Sequence, residues 1–161
     1  MIPFLAWLES SMLGHAMRSS GVWTYGVVIL GHILGVATLF GAVLVLDLRL
    51  IGLWRTVPIP SIAGPTVPVA TTGFVIAALT GVGLLATKAT EYAGNPFLLI
   101  KFPAIAVALL NVAVVTSRPA WKHMARPDPT PGDRRVLAIG GAVSLAAWLT
   151  AIGAGRMIGY W

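Results

Sequence analysis

The chain has no cysteine. That excludes disulfides, thiolate metal sites, iron–sulfur clusters and thiol catalysis, and leaves the redox compartment open. Charge is scarce too: Asp, Glu, Lys and Arg make up 10% of 161 residues, and only five of them are acidic. So few carboxylates leave no paired-acid constellation. No nucleophile–base pair and no phosphate-binding glycine loop stands out either, so hydrolase and transferase chemistry is not expected and the sequence does not point to an enzyme.

What fills the space is hydrocarbon. Hydrophobic residues account for 57% of the chain and the mean hydropathy is +0.87, beyond what a soluble domain of this size can carry on its surface. A helix needs about 20 apolar residues to cross the bilayer core. Four segments meet or approach that length, at about 21–46, 67–87, 96–116 and 136–158. The second follows a proline-rich entry of Pro58, Pro60, Pro65 and Pro68. The expected fold is therefore all-α: a single polytopic membrane domain, a four-transmembrane-helix bundle over residues 1–161. Ahead of it, about 2–18 reads as one amphipathic interfacial helix, with Phe4, Leu8 and Met12 recurring at helical spacing. Glu9 interrupts its apolar run and no small-residue cleavage site follows, so a signal peptide is not expected. Ser19 or Ser20 is placed to cap the first span.

The net charge of +6 fits span ends and anionic headgroups, with no nucleic-acid partner expected. Seven of the eleven basic residues (Arg49, Arg55, Arg118, Lys122, Arg126, Arg134 and Arg135) fall in or beside the connections after spans one and three. The other four, Arg18, Lys88, Lys101 and Arg156, lie on the opposite side. This bias predicts that the Arg-rich side is cytoplasmic and both termini face outward, which is the periplasm for the expected setting of a bacterial inner membrane. Trp7, Trp23, Tyr25, Tyr92, Tyr160 and Trp161 suit an outer aromatic belt, Trp54 and Trp121 an inner one. The connection 117–135 is expected to lie against anionic headgroups.

Small residues four apart let membrane helices approach closely. They form rows at Gly31-x3-Gly35, Gly73-x3-Ala77-x3-Gly81 and Ala147-x3-Ala151-x3-Gly155. These rows serve packing within the chain first and leave a homo-oligomer open.

Polar groups inside spans mark interior or functional positions. Asp47 and Arg49 are two apart and project to different sides, so they are expected to act as a clamp at the inner face, with Arg118, Arg134 or Arg135 as partners for Asp47. Asn111 is expected to make one interhelical hydrogen bond. Lys88 and Glu91 should form an ordinary helix pair. His32 lies about eleven residues into span one, roughly 16 Å deep, where an imidazole can hydrogen-bond, relay protons or ligate a metal or haem. A haem b held at His32 with His15, its propionates met by Lys101 and Arg156 near Asn111, would make the chain an electron-transfer protein. A second candidate is an outward copper site from Met12 and His15, with Met17 off their face, or His32 as a metal ligand in solute transport. The third is a structural subunit of a membrane complex with no cofactor, its partner unspecified.

The order of several short motifs resembles a group of small bacterial four-helix membrane proteins of unknown function. They are HILG (32–35), DLRLIG (47–52), NPFLLIK (95–101) with Asn111, SRPAW (117–121) and GRMIGY (155–160). The resemblance spans nearly the whole chain and implies that His32, Asp47, Arg49, Lys101, Asn111 and Arg156 form a shared polar set. His15 and His123 fall outside it. The architecture is more loosely similar to copper-resistance D-type membrane domains and to small b-type cytochromes.

Overall fold

The structure is a computed structural model that describes residues 2–124 and 130–161. Arg126, one of the seven basic residues, lies outside the described residues. Among these, every regular element is helical: α1 (Ile2–Ser10), α2 (Met12–Ser19), α3 (Gly21–Ile51), α4 (Ile59–Thr87), α5 (Pro96–Ser117), α6 (Pro119–Lys122) and α7 (Pro131–Met157), closed by a 3-10 turn at Ile158–Tyr160. Four of them, α3, α4, α5 and α7 with its terminal turn, are long and apolar enough to cross a membrane. The all-α, four-span class expected from hydropathy is the fold.

The helices outrun the apolar runs that define them. With 31 residues, α3 is about 46 Å long at 1.5 Å per residue, well beyond a hydrocarbon core of roughly 30 Å. The prolines expected to precede the second span lie within it: Pro65 and Pro68 are inside α4. Each removes one backbone donor, a loss that membrane helices absorb through hydroxyl side chains and neighbouring helices. Between the two prolines, the Thr66 hydroxyl donates to the Ile62 carbonyl at 2.7 Å. The fourth span starts five residues early because Thr130 caps it, accepting from the Asp133 amide at 3.1 Å, with Pro131 at the first helical position.

The amino-terminal segment is two helices rather than one. Ser11 adopts an extended conformation and its hydroxyl accepts from the Gly14 amide, which ends α1 and caps α2. The buried apolar side chains are Leu5 and Leu8, while Phe4 and Met12 are exposed, so of the Phe4, Leu8 and Met12 row only Leu8 packs. Ser19 and Ser20 do not cap α3 either. Both hydroxyls donate back to the Ala16 carbonyl at the end of α2.

The chain divides into two compact units. One comprises the chain up to Leu39 together with Thr71–Asn95, the other Phe40–Ala70 with Pro96–Trp161. In the first, Leu5 and Leu8 bury against Ala86 and Ala89. The small-residue rows of α3 and α4 meet there: a Cβ on Gly35 would stand 2.7 Å from the Ala77 nitrogen, and one on Gly73 2.5 Å from the Leu39 nitrogen. Backbone touches backbone, leaving no room for a side chain. In the second unit Leu50, Ile59, Ala63, Val115, Ala120 and Leu137 form the core. Along α7, Leu137, Gly140, Gly141, Ser144, Ala147, Trp148, Ala151 and Ala154 make one buried stripe at helical period.

Candidate functional site

His32 is carried on α3 two turns before the close crossing at Leu39–Gly73. Its Nδ1 lies 2.9 Å from the Ala77 carbonyl oxygen and 3.1 Å from Thr80 Oγ1. A carbonyl oxygen can only accept, so Nδ1 carries a proton and donates it. Thr80 Oγ1 donates its own proton to the Ile76 carbonyl at 2.6 Å, which leaves the hydroxyl oxygen as a second acceptor for Nδ1. The ring packs over Gly81, where an added Cβ would come within 3.0 Å of Cε1. A histidine fits because α4 presents glycine opposite it, and Gly31 faces the Thr80 methyl in the same way.

The rest of the predicted polar set is distributed over both units. His15 is exposed and lines a shallow groove of about 260 Å³ with Glu9, Arg18 and Thr90. It stands near the turn after α4, whereas His32 touches α4 at Ala77–Gly81, so the two imidazoles are not gathered at one point. Met12 is 90% exposed and Met17 packs its sulfur against Gly83. Among the described residues no group of three or more His, Cys, Asp or Glu is arranged to hold a metal ion.

In the second unit, Lys101 lays its amino group against Gly155, 3.2 Å from where a Cβ would stand. Arg156 donates to the Tyr160 hydroxyl and lies 4.6 Å above that ring. Asn111 donates from Nδ2 to the Gly140 carbonyl at 2.9 Å, the single interhelical bond its position predicts. Asp47 is 4% exposed. Its polar neighbour is the Ser144 hydroxyl, not an arginine, and its Oδ2 has no hydrogen-bond partner among the described residues. Arg49 turns away and donates to the Val57 carbonyl at 2.7 Å and the Arg55 carbonyl at 3.4 Å. His123 lies 3.7 Å from Asp133.

Several residues outside the predicted set matter to this architecture. Ser144 and Asn95 are buried polar groups; Ser144 could have been found from its place on the α7 stripe. In the turn after α4, Thr90 donates to Glu9 Oε2 from both its amide, at 2.7 Å, and its hydroxyl, at 2.6 Å. These two donors, with smaller help from Arg18 and Lys88, hold the exposed Glu9 carboxyl below its ordinary range. Arg18 donates to the Glu9 carbonyl near the end of α1 and to the Ala86 and Thr87 carbonyls that end α4. One guanidinium thereby caps two helix C-termini, where the dipole favours a cation. Lys88 and Glu91 pair at 3.1 Å in the turn after α4, not within the helix, and both are largely exposed.

Four spanning-length helices, apolar surfaces and polar groups turned toward neighbouring helices define a multi-pass membrane protein. Residues 4–161 match the Family of unknown function (DUF6644), and the chain belongs to that family. Comparison with the curated proteins and with the solved structures gives no match.

Proposed function

We propose that the chain is a membrane-embedded packing subunit whose intramembrane polar side chains pin one helix to the next. The bond from His32 Nδ1 to the Ala77 carbonyl carries this reading. It commits the Nδ1 proton to the neighbouring helix, with the ring seated on Gly81. Asn111 repeats the device in the second unit, again on a backbone carbonyl. Such bonds contribute on average about 0.6 kcal/mol and up to about 1.7 kcal/mol in membrane proteins. They orient helices more than they drive chemistry.

The test uses His32→Gln and His32→Leu in purified protein. A pin predicts that glutamine, which offers an amide donor, keeps most of the thermal stability. Leucine should lose about 0.6–1.7 kcal/mol. Protein from haem-replete cells should show no Soret band that depends on His32. A red protein whose Soret band disappears in His32→Gln would overturn the proposal.

That outcome belongs to the second reading, haem b with electron transfer, and one observation favours it. A backbone carbonyl holding the Nδ1 proton is the arrangement that orients a ligating imidazole through Nε2. His32 would then supply an axial ligand. His15, the second ligand of that reading, lines a surface groove with Glu9, Arg18 and Thr90.

A further inference from the structure

Where α3 ends, the chain makes a turn through Gly52 and Trp54, both at positive φ (124° and 49°). A Cβ at Gly52 would press on the Arg55 guanidinium at 3.3 Å. This turn and the first turns of α4 and α7 enclose a cavity of about 640 Å³ lined by Arg49, Arg55, Arg134 and Arg135. The turn is built by two of them. Arg49 holds the Val57 and Arg55 carbonyls, and Arg55 donates from Nε to the Gly52 carbonyl at 3.2 Å.

The charge gathered there has no acidic counterpart among the described residues. Among the described residues no carboxylate forms an ion pair with any of the four arginines. Asp133, which adjoins Arg134 in sequence, lies toward His123. Arg134 and Arg135 sit in the first turns of α7, at the positive end of the helix dipole, and the start of α4 adds a second positive end. Four guanidinium groups and two helix N-termini around one space create a potential that an anion relieves. Guanidinium is the side chain best matched to phosphate oxygens.

We infer that this cavity binds the phosphodiester headgroup of an anionic membrane lipid. Phosphate chemistry alone would also admit a soluble phosphate, but two observations favour the lipid. Apart from Thr56 the remaining side chains of the lining are apolar, including Ile51, Ile59 and Leu137, and the volume exceeds what a bare phosphate fills. Leu53 and Trp54 on the same turn are exposed, as side chains facing a membrane interface are.

The full chain in detergent, titrated with phosphatidylglycerol, phosphatidylcholine or sodium phosphate and read by native mass spectrometry, tests this. Phosphatidylglycerol should be retained in preference to phosphatidylcholine. Arg55→Gln/Arg135→Gln should weaken that retention roughly 30-fold, at about 1 kcal/mol for each basic residue. Arg118→Gln, outside the cavity, should leave it unchanged. An unaltered melting transition shows that the double variant is folded, and Arg55→Lys/Arg135→Lys, which keeps the charge, should retain the lipid. Equal retention of both lipids, or retention indifferent to the glutamine pair, overturns the inference. Sodium phosphate binding as tightly as phosphatidylglycerol would also overturn it, by identifying a soluble anion as the ligand.

Discussion

Glu9 shows how a short polar contact can matter at an exposed site. Its carboxylate accepts two hydrogen bonds from Thr90, which holds its pKa below the ordinary value of 4.5. A carboxyl lowered on folding contributes stability that is fully present above 4.5 and fades as pH falls through the lowered folded value. Melting followed downward from neutral pH should therefore show an acid-dependent loss that Glu9→Gln abolishes. Retention of the same acid limb in that variant would show that another group governs it. Asp47 invites a different substitution. Its carboxyl is buried, with no hydrogen-bond partner for Oδ2 among the described residues, and Asp47→Asn is nearly isosteric and removes the ionisable group. Ser144→Ala takes away its hydroxyl neighbour and should cost about 1–3 kcal/mol, the penalty for stripping a partner from a buried polar group; no change in melting would show that the hydroxyl does not support it.

At the scale of elements, the crossing of α3 and α4 depends on the absence of side chains. Gly35→Ala would drive a Cβ to 2.7 Å from the Ala77 backbone and should destabilise by about 1–3 kcal/mol, as overpacking does. Gly26 on the same helix has open space around its would-be Cβ, so Gly26→Ala should be neutral or slightly stabilising. Equal effects at the two positions would contradict the close approach. The rows Gly31–Gly35 and Gly73–Ala77–Gly81 were legible in the sequence because small residues four apart are themselves the packing signal. The four spans were legible because hydropathy reports length directly. The polar pairings were not. His32, Asn111 and Arg18 bond to the carbonyls of Ala77, Gly140, Glu9, Ala86 and Thr87, and a carbonyl is present at every residue, so nothing in the partner's identity gives it away. The break at Ser11 was hidden for a related reason. A serine reads as tolerable inside an amphipathic pattern until its hydroxyl is seen capping Gly14.

For the molecule as a whole, four spans require both ends on one side of the membrane. The basic bias of the two connections carrying Arg49, Arg55, Arg118, Lys122, Arg134 and Arg135 leads us to propose that side as periplasmic. A reporter active only outside the cytoplasm should work when fused at either end. Activity at one end alone would contradict the span count, and silence at both would invert the orientation. Order of synthesis adds a constraint of its own. Glu9 and Arg18 find their partners 81 and 68–69 residues later in the chain. At 5–20 residues per second, translation needs roughly 4–16 s to supply Thr90 after Glu9. Throughout that interval Leu5 and Leu8 have not met Ala86 and Ala89. The amino-terminal helices therefore cannot complete their docking until the second span has been made.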